Sequence, residues 1–169
     1  LLSPRLRNNM FISPELLLLG FIHDKKMRLE AWRVARTNPT DEYLMLGSLP
    51  VLIYDLANFF GREEAKVNVT FTPKDFSMVL IEATTKTNKS VKILVKSTYE
   101  GLTKELLNKL GNEIKNMLMD QGLQILPHII MIISSKRILE HSEEEALLNN
   151  FAEEFTIPIV HVPVSYTHL

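Results

Sequence analysis

The spacing of apolar residues changes at Lys66, and this change constrains the fold more than any other feature of the sequence. Before Lys66, apolar residues recur at helical spacing, for example in residues 24–36, as they do on one face of an amphipathic helix. After it, residues 67–71 alternate between apolar and polar, which is typical of a half-buried strand. The sequence therefore predicts helices at the front of the chain and a sheet behind them.

The front of the chain contains three predicted helices. Ser13, Pro14 and Glu15 are typical of a helix start, because each residue type is favoured at a cap or in a first turn. A second helix covers residues 24–36 and ends at a break over residues 37–40. A third is predicted to begin at Ser48 and Pro50 and to end at Gly61.

Strands and helices alternate in the second half of the chain. Apolar segments predict further strands over residues 78–84, 91–98, 128–133 and 158–162. Leucine spacing predicts a helix over residues 102–118, and Ser142 with Glu145 forms a capping box for another. The predicted order is N-terminal helices followed by βββαβαβ, an α/β fold with a mixed sheet flanked by helices.

Alternation also predicts how the second and third strands pair, because a slip by one residue would bury charged side chains. The predicted partners are Val79 with Val95, Ile81 with Ile93, Ala83 with Val91, Met78 with Lys96, Leu80 with Leu94, and Glu82 with Lys92. The last of these is interpreted as a cross-strand ion pair.

We divide the chain into a helical segment, residues 1–61, and an α/β domain, residues 62–163. Met10 opens a credible start, so residues 1–9 are expected to be non-native. Residues 164–169 match one reading frame of a common transposase sequencing adapter and are expected to be a non-native tail.

Composition limits the classes of function. The chain has 169 residues, 19 Lys and Arg, 20 Asp and Glu, a net charge of −1 and no cysteine. Disulfides, thiolate metal sites and cysteine nucleophiles are excluded, and bulk charge argues against nucleic-acid binding, although residues 25–36 are locally basic. Pro14 and Glu15 interrupt a front apolar run that is too short to span a bilayer, so we expect a cytoplasmic protein without membrane contact.

Several isolated polar features are interpreted as structural. His128 and His161 fall on predicted strands and are interpreted as core or edge histidines and not as a metal pair. Residues 134–136 are interpreted as a polar loop, and residues 143–145 as a favourable acidic first turn of a helix.

Two short motifs and the element order resemble the PD-(D/E)xK nuclease-like superfamily, over roughly residues 50–162. Residues 93–98, Ile-Leu-Val-Lys-Ser-Thr, are similar to the end of that family's catalytic strand, where an acidic residue or Gln, one spacer and a lysine precede small polar residues. Residues 73–75, Pro-Lys-Asp, resemble its Pro-Asp element.

The resemblance implies roles for particular residues. In active members two carboxylates hold Mg²⁺ and the lysine helps to position or activate the attacking water. Asp75 would be a metal ligand and Lys96 the catalytic lysine, whereas the second acidic position is Leu94, which cannot bind a metal. Glu82 is the remaining acidic candidate of the hairpin for a catalytic role, and Glu64 is the candidate for a migrated second metal ligand.

The residues also support plainer interpretations. Asp75 would be a turn residue, and Lys96 would extend over Met78 and Leu80 towards solvent. Regular strand geometry places Asp75 roughly 10 Å from the partner of Lys96, a distance that only a bulge would shorten.

Three classes of function follow. The first is a diverged nuclease-like domain, active or decayed, that acts on or binds DNA or RNA; an active form would be a Mg²⁺-dependent phosphodiesterase. The second is a non-catalytic binding or regulatory module of the same architecture that contacts protein or nucleic acid. The third is a fragment of a larger enzyme whose site lies beyond Pro163. Because Leu94 removes a ligand, we expect no catalysis.

Overall fold

Five strands and four helices make up the part of the chain that the structure, a computed structural model, describes: residues 24–59, 66–72, 75–84, 87–121 and 126–164. The elements in chain order are α1 (Lys25–Thr37), α2 (Asp41–Phe59), β1 (Lys66–Thr72), β2 (Asp75–Thr84), β3 (Ser90–Thr98), α3 (Lys104–Gln121), β4 (Ile129–Ser134), α4 (His141–Phe155) and β5 (Ile159–Pro163). The predicted helix start at Ser13, residues 1–9 and residues 165–169 lie outside the described ranges.

The strands form one mixed sheet in the order β1-β2-β3-β4-β5. The pairs β1–β2 and β2–β3 are antiparallel, and β3–β4 and β4–β5 are parallel. Parallel neighbours need a crossover, which α3 and α4 supply. The predicted fold class, with helices first and a mixed sheet flanked by helices, is confirmed.

All six predicted pairs between β2 and β3 are present, from Met78–Lys96 to Ala83–Val91. Because side chains alternate across the sheet, this register divides the core in two. Val79, Ile81 and Val95 pack against residues of α2, and Met78 and Leu94 pack against residues of α3 and α4.

Helix α1 packs against α2 at a close approach around Gly47. A side-chain Cβ at Gly47 would lie 2.5 Å from the Cβ of Ala35, so this position requires a glycine. The contacts show that the two helices run antiparallel. Gly47 faces Ala35, and Tyr54, further along α2, stacks with Arg28, which lies earlier in α1. Antiparallel packing is expected for helices joined by so short a connection.

The predicted start of the third helix at Ser48 is wrong, because α2 begins at Asp41. Thr40 caps it by accepting a hydrogen bond from the backbone N–H of Tyr43, 3.2 Å away. Pro50 lies inside the helix. Burial overrides the local signal, since core residues recur at helical spacing on both sides of the proline: Leu44, Met45, Leu49 and Ile53.

The predicted capping box of the last helix is also wrong. Helix α4 begins at His141 with Glu140 as its cap, so Ser142 lies in the first turn. No helix within the described residues is long and apolar enough to cross a membrane.

Candidate functional site

Polar side chains gather where β3 and β4 end, at one edge of the sheet. Ser97 and Thr98 close β3 and Ser134 closes β4, and all three are buried. Antiparallel β2 begins at the same edge with Asp75. In α/β sheets, ligands bind outside the carboxyl ends of parallel strands, so this edge is the candidate site.

Asp75, Ser77 and Lys96 form a hydrogen-bonded cluster at this edge. The Lys96 ammonium lies 3.4 Å from Asp75 Oδ2 and also donates to Ser77 Oγ. Ser77 donates to Asp75 Oδ1 twice, from its backbone N–H at 2.9 Å and from its hydroxyl. The Lys96 side chain is 6% exposed, whereas the Asp75 side chain is 32% exposed.

Two interpretations made from regular strand geometry are therefore wrong. Lys96 does not extend to solvent over its apolar neighbours, and Asp75 is the first residue of β2 and not a turn residue separated from Lys96. The pairing of β1 with β2 jumps from Phe71–Val79 to Thr72–Asp75. This irregularity shortens β2 locally, as a bulge does, and lets the long side chain of Lys96 meet Asp75.

Burial raises the pKa of Asp75, but the hydrogen bonds from Ser77 and the positive charge of Lys96 outweigh it. The pKa of this carboxyl therefore lies below its ordinary value. Asp75 is ionised at neutral pH and compensates the charge of the buried ammonium. A buried charge without such a partner is strongly destabilising.

Of the two predicted Mg²⁺ ligands, the described residues include only Asp75. Magnesium needs octahedral oxygen ligands, usually with one or two carboxylates, and both Asp75 oxygens already accept hydrogen bonds. Leu94 lies in the core, and Glu82 pairs with Lys92 further along the hairpin. Among the described residues, no group of three or more His, Asp and Glu is placed to hold a metal ion.

Glu64, the predicted second metal ligand, lies outside the described residues. Its role, the role of Mg²⁺ and the catalytic roles of Asp75, Lys96 and Glu82 stay predictions.

Helix α2 is tied to the same edge through its first residue. The Asp41 carbonyl accepts a hydrogen bond from Ser97 Oγ at 2.6 Å, and its carboxylate accepts one from the backbone N–H of Tyr99 at 2.7 Å. The first turn of α2 therefore adjoins the end of β3, on the side of the sheet opposite to Lys96.

A second cluster joins Ser134, His161 and Glu144 in a buried chain. Ser134 Oγ lies 2.6 Å from His161 Nε2, and His161 Nδ1 lies 2.6 Å from Glu144 Oε1. Arg137 Nε lies 3.3 Å from the other Glu144 oxygen. These hydrogen-bonded side chains link β4 and β5 to the first turn of α4.

The burial of Ser134 argues against a serine nucleophile. The Ser134 hydroxyl donates to the Lys136 carbonyl at 2.8 Å, and its oxygen lies 2.6 Å from His161 Nε2. Ser134 is 0% exposed, which leaves no path for a substrate to its oxygen.

This cluster was not predicted from the sequence, although one signal for it is present. Glu144 precedes Leu147, Leu148 and Phe151 by three, four and seven positions, which places it on the buried face of α4. The acidic run was interpreted only as a favourable first turn.

His128 lies far from His161, because His161 pairs with Ile132, about 13 Å further along β4. The His128 ring instead accepts a hydrogen bond from the backbone N–H of Lys92 at 2.9 Å.

Comparison with known proteins gives little further information. No protein-family model matches the chain, and no curated protein matches it. A solved structure of EndoMS in apo form aligns with 68% of this chain and 46% of that protein, at 7% identity and a TM-score of 0.36. The chain thus spans less than half the length of EndoMS, and a likeness of this size identifies neither a family nor a function.

Proposed function

We propose that this chain is a diverged PD-(D/E)xK nuclease-like domain that binds nucleic acid at the Asp75–Lys96 edge and does not cleave it. One observation carries the proposal: the two side chains to which the resemblance gives the catalytic roles meet in space, 3.4 Å apart. They do so although regular strand pairing would separate them.

The absence of cleavage follows from what surrounds this pair. Leu94 occupies the second acidic position and is buried in the core. Lys96 already donates to Asp75 and Ser77, so its ammonium holds the start of β2 and is not directed at a water molecule. The cluster thus fixes the edge of the sheet instead of performing phosphate chemistry.

The test combines a cleavage assay with a binding assay on labelled DNA and RNA. We expect no cleavage by the wild type in Mg²⁺ or Mn²⁺, and binding that weakens steeply between about 50 and 200 mM salt. The partly exposed carboxylate of Asp75 repels phosphate, so Asp75→Asn is expected to tighten binding by up to about fivefold. Asp120→Asn, on an exposed residue of α3, is the matched control.

Two outcomes would overturn the proposal. Metal-dependent cleavage by the wild type that is lost in Lys96→Ala and kept in Lys92→Ala would establish an active nuclease, with a second carboxylate such as Glu64. Failure of the wild type to bind any nucleic acid at low salt would also overturn it. The remaining functions would then be a module that binds protein and a fragment of a larger enzyme.

A further inference from the structure

Helix α1 carries an exposed basic face. Its cationic residues Lys25, Lys26, Arg33 and Arg36 are all exposed, on one side of the helix around the exposed Leu29. The acid on this face is Glu30, whose carboxylate binds the guanidinium of Arg33, with Arg33 Nε 3.0 Å from Oε2. The face therefore carries three net positive charges (four cations and one anion), although the whole chain has a net charge of −1.

Helix stability does not account for the position of two of these charges. Lys25 and Lys26 occupy the first turn of α1, where the helix dipole favours anions. The first turn contains no acidic residue, and Asp24 caps it by accepting from the backbone N–H groups of Lys26 and Met27. These two lysines therefore add to the charge of the exposed face and not to the stability of the helix.

Burial of the opposite face selects the kind of partner. Ala31, Trp32 and Ala35 are buried, and the close contact with Gly47 holds them against α2. An amphipathic helix that binds a membrane inserts its apolar face into the bilayer, and here that face is already covered. The exposed face fits a polyanion that it can contact by charge alone.

The position of α1 connects this face to the candidate site. Because α1 and α2 run antiparallel, the Arg36 end of α1 adjoins the first turn of α2. That turn begins with Asp41, whose carbonyl accepts from Ser97 at the edge of the sheet. The basic face thus starts beside the candidate site and extends away from it for about 16 Å from Arg36 to Lys25.

We propose that the basic face of α1 binds the phosphodiester backbone of the nucleic acid that the Asp75–Lys96 edge receives. This inference rests on the proposed function. It names the surface that supplies most of the affinity of the protein for nucleic acid. Contacts of this kind position the nucleic acid without reading its sequence.

The experiment compares two double variants with the same loss of charge. Lys26→Gln with Arg36→Gln removes two cations from α1. Lys109→Gln with Lys115→Gln removes two exposed cations from α3, further from the edge that holds Asp75 and Lys96. Binding of the full chain to fluorescent double-stranded and single-stranded DNA is measured by anisotropy over a range of salt concentrations. Emission of Trp32, the single tryptophan, checks that α1 remains docked.

We expect the α1 variant to bind on the order of tenfold more weakly, with a salt slope smaller by about two, and the α3 variant to match the wild type. Equal affinities and slopes for both variants would overturn the inference and leave the proposed function intact. A wild type that binds no DNA would overturn both. If the wild type binds phosphatidylserine vesicles but not DNA, the partner of the basic face is a membrane surface and the inference is wrong.

Discussion

Asp75 and Lys96 show how a single ion pair can link the stability of this fold to pH. The folded pKa of Asp75 lies below its value in an unfolded chain, which is about 3.9. A carboxyl group of this kind stabilises the folded state above its unfolded pKa, and the contribution is lost as the pH falls through the folded pKa.

Asp75→Asn is therefore expected to destabilise the protein most at neutral pH and least in acid, because a protonated Asp and an Asn differ little. Urea unfolding at a series of pH values measures the difference from the wild type. The exposed Asp120→Asn is expected to show no such trend. A difference for Asp75→Asn that stays constant into acid would show that its charge does not stabilise the fold.

Glu144 gives a second prediction, because its carboxylate accepts from the buried ring of His161; the side chains of the two residues are 4% and 1% exposed. Glu144→Ala leaves a buried N–H without an acceptor and is expected to cost about 2–4 kcal/mol in the free energy of unfolding. Glu144→Gln keeps an oxygen acceptor and is expected to cost less. The exposed neighbour Glu145→Ala is expected to change stability by less than about 0.5 kcal/mol, and equal costs at 144 and 145 would contradict the cluster.

Much of the candidate site could not be predicted from single residues. The register that brings Lys96 opposite Met78 follows from alternation, and it is confirmed. The contact of Lys96 with Asp75 depends on an irregularity in the pairing of β1 with β2, for which the sequence has no local signal. His161 and Ser134 meet only because their strands pair in parallel through a crossover, which no sequence spacing measures.

Among the elements, α1 and α2 depend on each other most closely at Gly47. In an exposed helix, Gly→Ala stabilises by about 1 kcal/mol. Here the added Cβ would overlap Ala35, so Gly47→Ala is expected to destabilise by about 1–3 kcal/mol despite its better helix propensity. A shift of Trp32 emission to longer wavelength would show the two helices separating, and a stabilised variant with unchanged emission would contradict the close packing.

Helix boundaries illustrate why local signals fail at the scale of elements. Ser48 and Pro50 resemble a helix start, yet α2 passes through both because its core residues lie on either side of them. Ser142 and Glu145 resemble a capping box, yet α4 begins one residue before Ser142. The existence and order of the elements followed from periodicity, whereas their ends were set by tertiary contacts.

For the molecule as a whole, the order of the strands predicts how its parts differ in stability. Strands β3 and β4 lie between other strands and are covered on both faces, while β1 and β5 lie at the edges of the described sheet. We expect amide hydrogens of β3 and β4 to exchange most slowly and those of β1 and β5 to exchange faster. Native-state hydrogen exchange tests this order, and β1 or β5 among the slowest-exchanging segments would contradict it.

The division of the core by the sheet has an evolutionary consequence. The residues that β2 and β3 contribute to the two cores each belong to one core only, and residues without shared partners contribute to stability independently. A lineage could therefore replace its α1–α2 layer while its α3–α4 layer stayed almost unchanged, or the reverse. Homologous proteins would then share sequence on alternate residues of the same strands, a pattern that contiguous sequence matching detects poorly.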